Sequence, residues 1–218
     1  KKFQKVSMND LLDKNYEVIG ADRRTSGPSL WRLEKLGIRK NINIIDCDLL
    51  EYSNIDRIVK KYDIDEIYNL AAQSFVATSF NLPIYTSKVN GIGVLNILES
   101  IRNNKKNIKF YQASTSEMFG NVDTKPQNES TSFSPRSPYG VSKLFAHWIT
   151  VNYRESYDIF ACSGIAFNHE SPLRGSEFVT KKVIESLHRI SLGKMDFFYL
   201  GNIYTKRDWG HAADYVEA

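Results

Sequence analysis

Short apolar runs alternate along the chain with stretches of helical spacing. Tyr16–Ala21 (YEVIGA), Ile42–Asp46 (INIID), Glu66–Leu70 (EIYNL), Ile108–Gln112 (IKFYQ) and Ile159–Phe167 (IFACSGIAF) each read as a strand. Ser53, with Asp56 three residues on, reads as the N-cap of a helix to about Tyr62. Val94, Ile97, Leu98 and Ile101 repeat at i, i+3, i+4, i+7 within a helix from Tyr85 to about Arg102. A polar loop, Asn121 to Pro135, leads to a helix opened by Pro138 and running to about Tyr157. Leu144, Trp148 and Val151 give that helix its apolar face, so His147 beside them is structural or solvent-facing. Beyond Phe167 the text turns polar, with a helix expected from Ser176 to about Leu192, a strand at Phe197–Gly201 and a basic loop after it. Strand alternating with helix implies α/β architecture, a doubly wound parallel sheet with helices on both faces. The expected division is residues 1–167 as the main domain and 168–218 as the start of a smaller lobe.

A chain of 218 residues at 42% hydrophobic content can bury a real core. No run approaches the roughly 18 apolar residues of a membrane span, and Lys1–Asp10 has no apolar signal region. A soluble, cytoplasmic protein is expected. Cys47 and Cys162 sit in separate apolar runs without metal-ligand spacing, so no metal is expected. The net charge of +4 is mild and its cations are scattered, which points away from nucleic acid and toward a small anion.

The chemistry concentrates in Ser137-Pro138-Tyr139-Gly140-Val141-Ser142-Lys143. With Pro138 in a first helical turn, Tyr139 and Lys143 share one face. A phenol titrates near 10, so as a base it needs a nearby cation, and Lys143 is placed to be one. The same pair is also compatible with an ordinary exposed Tyr-Lys pair. Upstream, the Ile108 strand ends in Ser114-Thr115-Ser116-Glu117, polar groups delivered to the carboxyl edge of a sheet. Asp22-Arg23-Arg24-Thr25-Ser26 follows the first strand, where an acid would read a free ribose 2′-hydroxyl and arginine a 2′-phosphate, which favours NADP over NAD. An exposed basic loop is the alternative. Asp48-Leu49 falls where an adenine edge could be met, and Ala71-Ala72-Gln73-Ser74 forms either a close approach to a ligand or a tight turn. Lys181, Lys182, Lys206 and Arg207 could hold a diphosphate or be solvated surface.

These strings resemble the GDP-mannose 4,6-dehydratases, extended short-chain dehydrogenase/reductases of the NAD-dependent epimerase/dehydratase group, from Leu11 to Ala218. The resemblance rests on Tyr139-x-x-x-Lys143, Phe110–Glu117, Pro135–Gly140, Phe167–Pro172 and Lys206–His211. It implies a Rossmann-type fold and a lyase converting GDP-mannose to GDP-4-keto-6-deoxy-mannose, a step toward GDP-fucose. By resemblance and by chemistry, Tyr139 is the base at the C4 hydroxyl, Lys143 lowers its pKa and holds the nicotinamide ribose, Thr115 binds the C4 oxygen, and Glu117 removes the C5 proton. The resemblance further implies Arg23, Arg24, Ser26, Asp48, Leu49, Leu70, Ala71, Ala72, Gln73, Ser74, Tyr85, His169 and Arg174 around NADP. It places Ser74, Asn168, Lys181, Lys182 and Arg207 at the nucleotide sugar, and implies a homo-oligomer, dimer or tetramer. The chain departs from the family at its start: a first strand and a Gly-x-x-Gly-x-x-Gly loop are expected, and Lys1–Met8 has no glycine. A sheet without its central strand would leave neighbours unpaired, so omission is expected rather than deletion. The lobe is likewise expected to be incomplete at Ala218. The rival readings are a nucleotide-sugar epimerase or 4-keto reductase on the same scaffold, and a non-catalytic binding protein that lost its phosphate loop.

Overall fold

The computed structural model describes residues 2–27, 30–104, 107–122 and 126–217. In chain order these form helix α1 (Lys2–Asp13), strand β1 (Ile19–Asp22), α2 (Trp31–Lys35), β2 (Asn43–Asp46), α3 (Tyr52–Lys61), β3 (Glu66–Asn69), α4 (Val76–Asn81) and α5 (Pro83–Ser87). A π turn at Lys88–Ile92 joins α5 to α6 (Gly93–Asn104). Then follow β4 (Lys109–Thr115), a 3-10 turn at Ser116–Met118, α7 (Pro138–Tyr157), β5 (Ala161–Ala166), β6 (Asn168–Glu170), α8 (Val179–Ser191), β7 (Trp209–His211) and α9 (Ala212–Glu217).

The chain separates into two compact units. One gathers residues 19–28 and 42–166. Its ladders are all parallel: β1 on β2, with Ile19 opposite Asn43, and β3-β4-β5, with Glu66 opposite Lys109 and Phe110 opposite Ala161. No backbone bond joins β1 to β3 among the described residues, which leaves one edge of each unpaired. The core of this unit is Ile55 and Val59 of α3, Val94, Ile97, Leu98 and Ile101 of α6, Ile108, Phe110 and Ala161 of the strand region, and Ala146 and Tyr153 of α7. The four α6 residues are those the helical spacing selected.

The other unit gathers residues 1–18, 29–41 and 167–218. Here α1 packs on α9 and β6 pairs in parallel with β7, Asn168 opposite Trp209. Arg32 ties α2 to the loop after β6 by donating from Nε to the Leu173 carbonyl at 3.0 Å.

Several expectations move. The first strand starts at Ile19 because Tyr16 still closes α1, its amide donating to the Leu11 carbonyl. Ser53 is no cap: Glu51 precedes the first helical residue, and Asp56 pairs instead with Lys60 and Asn104. Phe197–Gly201 forms no strand, since all of it but Phe198 is exposed and the Tyr199 carbonyl accepts from Lys182 Nζ at 2.6 Å. The strand lies further on, at Trp209–His211. The helix expected from Tyr85 runs unbroken through α5, the π turn and α6 to Asn104, and in the polar loop residues 123–125 lie outside the described residues.

Candidate active site

β4 delivers Thr115, and the chain tightens there because the Thr115 hydroxyl accepts from the Glu117 amide at 3.2 Å, capping the 3-10 turn. Helix α7 begins against that turn. Pro138 takes its first position, and Ser137 Oγ accepts from the Gly140 amide at 3.0 Å. A Cβ at Gly140 would lie 2.8 Å from the Glu117 carbonyl oxygen. Strand tip and first helical turn therefore touch through backbone, with Tyr139 beside the contact.

Tyr139 and Lys143 are both buried, Lys143 to 3% exposure. Burial pushes the Tyr139 phenol up to about 12, while a hydrogen bond with Thr115 pulls it down and the Glu117 charge pushes it up. Lys143 was expected to draw the phenol down, and the direction is the opposite. Its Nζ instead donates to the Ala113 carbonyl at 2.9 Å, and burial lowers its own pKa to about 8. Desolvation sets the direction. What the structure brings together is a buried phenol on which a threonine hydroxyl and a carboxylate both act, with an ammonium one turn along.

The residues expected at a dinucleotide's adenosine half lie in the same unit. Arg23 donates from Nη1 to the Tyr85 hydroxyl at 3.0 Å, and Arg24 and Ser26 are exposed beside it. Asp48 Oδ1 accepts from the Leu50 amide at 3.0 Å, and the Leu49 carbonyl accepts from Asn96 at 2.8 Å. Leu70, Ala71, Ala72 and Gln73 are half-buried at the end of β3, with Ser74 exposed. Small residues at the carboxyl end of β3 and guanidinium donors beyond the end of β1 suit a phosphate-bearing dinucleotide.

Asn168, His169, Arg174, Lys181, Lys182 and Arg207 belong to the other unit, each with a local partner. Asn168 donates to the Asp208 carbonyl at 3.3 Å, and the His169 ring lies 5.4 Å from that of Tyr215. Arg174 sits over the Phe178 ring and 3.3 Å from Glu170, outside hydrogen-bond geometry at Nε. Lys181 pairs with Glu185, Lys182 with the Tyr199 carbonyl and Arg207 with the Lys206 carbonyl, so no shared acceptor gathers these cations among the described residues.

The family model described as GDP-mannose 4,6 dehydratase matches residues 6–218. A GDP-mannose 4,6-dehydratase of Yersinia enterocolitica is 50% identical over 213 residues, which is 94% of this chain and 57% of that protein. The chain belongs to the GDP-mannose 4,6-dehydratase family. The human GDP-mannose 4,6 dehydratase is 49% identical over 216 residues, 95% of this chain and 58% of its own length. The chain thus spans less than two thirds of these curated relatives. Among solved structures, a dTDP-glucose 4,6-dehydratase of Streptomyces venezuelae with NAD and TYD bound superposes with a TM-score of 0.85 at 21% identity, over 99% of this chain and 66% of that one. A Thermus thermophilus UDP-glucose 4-epimerase complexed with NAD gives 0.82 at 25% identity, over 99% and 69%. These neighbours share the α/β fold with parallel strands.

In this dehydratase-family chain the buried face of α7 is not the expected one. Tyr139, Ser142, Lys143, Ala146, Thr150 and Tyr153 face inward, whereas Trp148 is 54% exposed. His147 packs edge-on against Phe133 and Trp148, and burial, then Arg154, lowers its pKa. Sequence reasoning also passed over Asn90, Gln112 and Asn69, all buried. Asn69 Nδ2 donates to Gln112 Oε1 at 2.7 Å, and Gln112 Nε2 donates to the Ala113 carbonyl that also holds Lys143. The available signal was an amide in the middle of an apolar strand.

Proposed function

We propose that the protein converts GDP-mannose to GDP-4-keto-6-deoxy-mannose and water, with Tyr139, Lys143, Thr115 and Glu117 as its catalytic residues. The observation that carries this reading is the contact between the Thr115–Glu117 turn and the first turn of α7, where the Glu117 carbonyl meets Gly140 and Tyr139 lies buried beside it. An oxidoreductase alone needs no carboxylate two residues after its threonine; an elimination does. A C5 proton is barely acidic until C4 is a ketone. Tyr139 takes the C4 hydroxyl proton while Thr115 hydrogen-bonds the C4 oxygen. Glu117 then removes the C5 proton, now alpha to a carbonyl, and helps the C6 hydroxyl leave as water. A phenol near 12 is a reluctant base, so Lys143 must offer its charge to Tyr139 from one turn away during the reaction. A nicotinamide held beside Tyr139 and Lys143 would supply positive charge and a reversible hydride acceptor.

The two solved neighbours above carry NAD, which supports a nicotinamide cofactor. The guanidinium groups of Arg23 and Arg24, with Ser26, favour NADP because arginine suits a 2′-phosphate. Asp48, Leu49, Leu70, Ala71, Ala72, Gln73, Ser74 and Tyr85 would line it, with His169 and Arg174 contributed by residues 168–218, the proposed start of the sugar-binding lobe. Ser74, Asn168, Lys181, Lys182 and Arg207 are proposed for the GDP-sugar. The exposed apolar residues Phe80, Ile84, Val141, Phe145 and Trp148, on the packed helices α4, α5 and α7, support a homo-oligomer built on that face. Among the described residues no helix is long and apolar enough to cross a membrane, and the free thiols of Cys47 and Cys162 support a cytoplasmic setting.

The test is incubation with GDP-mannose and catalytic NADP+. Formation of the 4-keto-6-deoxy sugar supports the reading; an epimerised or reduced sugar with C6 intact assigns a different reaction, and untouched substrate beside bound NADP+ refutes it.

A further inference from the structure

Asn90 is a buried amide, 1% exposed, inside the π turn between α5 and α6. A buried amide is costly unless every group is matched, and here every group is. Its Oδ1 accepts from the Gln73 amide at 2.8 Å, and its Nδ2 donates to the Gln73 carbonyl at 3.1 Å, so the side chain pairs with Gln73 as a neighbouring strand would. The second Nδ2 hydrogen goes to Ser142 Oγ on α7 at 3.2 Å. Ser142 Oγ in turn donates to the Tyr139 carbonyl at 2.7 Å. Helical pairing gives that same carbonyl to the Lys143 amide, so one oxygen joins the backbones of both residues. The turn is anchored on its other side too: a Cβ at Gly93 would lie 2.9 Å from Leu49 Cβ, and Asn96 holds the Leu49 carbonyl. Single π turns inside helices commonly mark functional sites, and this one aims a side chain at two elements at once.

We propose that Asn90 and Ser142 are positioning residues, a hydrogen-bonded relay that carries the setting of the Gln73 loop to the backbone of Tyr139 and Lys143. The proposal rests on the reading of that loop as the cofactor's and of Tyr139 as the base. Occupancy of the loop then sets the first turn of α7, and a loosened relay leaves cofactor binding intact while Tyr139 is misaligned. A residue that only stabilised the fold would change unfolding and nothing else.

Ser142→Ala breaks the link to α7 and leaves both Gln73 bonds. It is expected to bind NADP+ within about two-fold of the unaltered protein yet form keto sugar in a single turnover about ten-fold more slowly, the size of one net hydrogen bond. Ser142→Thr, which keeps the hydroxyl, should restore the rate. Asn90→Ala should weaken NADP+ binding and slow turnover, and adding Ser142→Ala to it should cost little more, because both cut one chain. A Ser142→Ala rate equal to that of the unaltered protein, or losses that multiply, would overturn the relay. If NADP+ binds but GDP-mannose is untouched, the functional reading fails and amide hydrogen exchange decides the relay. NADP+ should then protect the Tyr139–Lys143 amides more in the unaltered protein than in Ser142→Ala, and equal protection refutes it. Failure to bind either NADP+ or NAD+ overturns both.

Discussion

Lys143 offers the sharpest check on the electrostatics of the site. Its ammonium is fully enclosed, and burial lowers its pKa from 10.5 to about 8, equivalent to about 3 kcal/mol against the charged form. Below about pH 8 the folded and unfolded chains both hold the proton. Between about 8 and 10.5 the unfolded chain still binds a proton that the folded chain has released, so rising pH favours the folded state. Integrated from about pH 7 to about pH 9.5, stability should gain about 2 kcal/mol from this one group. Lys143→Met keeps most of the volume without the charge. At neutral pH the variant should be at least as stable as the unaltered protein, because replacing a buried charge by an apolar group is commonly neutral or favourable. Urea unfolding of both proteins across this range isolates the effect, since every other titrating group is shared. The difference should shrink by about 2 kcal/mol as pH rises. A difference constant to within about 0.5 kcal/mol would mean that Lys143 is not held charged in a dry site, and the argument would fail.

Other consequences are more local. Gly120 has a φ of 59°, and a Cβ there would fall 1.9 Å from the Ser134 carbonyl oxygen. Gly120→Ala should therefore cost about 3 kcal/mol in thermal or urea unfolding, from left-handed strain plus a displaced loop. Tyr153 donates a short hydrogen bond to Glu99 and stacks edge-on with Tyr157; Tyr153→Phe should lose about 1 kcal/mol in unfolding and no activity. Glu117→Gln should retain the rise in melting temperature given by NADP+ while abolishing keto-sugar formation. Normal turnover would remove Glu117 from its role.

The parts of this architecture legible in the sequence are those where one physical demand acts alone. The inner face of α6 is apolar but for Ser100, so Val94, Ile97, Leu98 and Ile101 announced it. Pro138 and the four-residue spacing announced the start of α7 and its Tyr139-Lys143 pair. Where two demands compete, pattern reading failed. The inner face of α7 carries Ser142, Lys143 and Thr150, which look like solvent residues, while Trp148 on the outside looks like core. Phe197–Gly201 has strand-forming side chains but no partner strand among the described residues, whereas Asn168–Glu170 finds one 41 residues on despite its polar text. Asn90 was hidden because a π turn has no sequence periodicity of its own.

These failures share a cause that bears on function. Along α7 the buried positions change character, from Tyr139, Ser142 and Lys143 near the start to Ala146, Thr150 and Tyr153 further on. Ala146 and Tyr153 pack with Phe110, Ala161 and the α6 residues in the core, and Thr150 satisfies its hydroxyl on the Ala146 carbonyl. That half is held by apolar burial. The first half, by contrast, holds an ammonium that burial disfavours and a phenol pushed away from its ionised form. Because a helix is stiff over such a distance, the well-packed end can impose position on the poorly solvated one. A site that must keep a cation and a phenol dry therefore needs the rest of its own helix as an anchor.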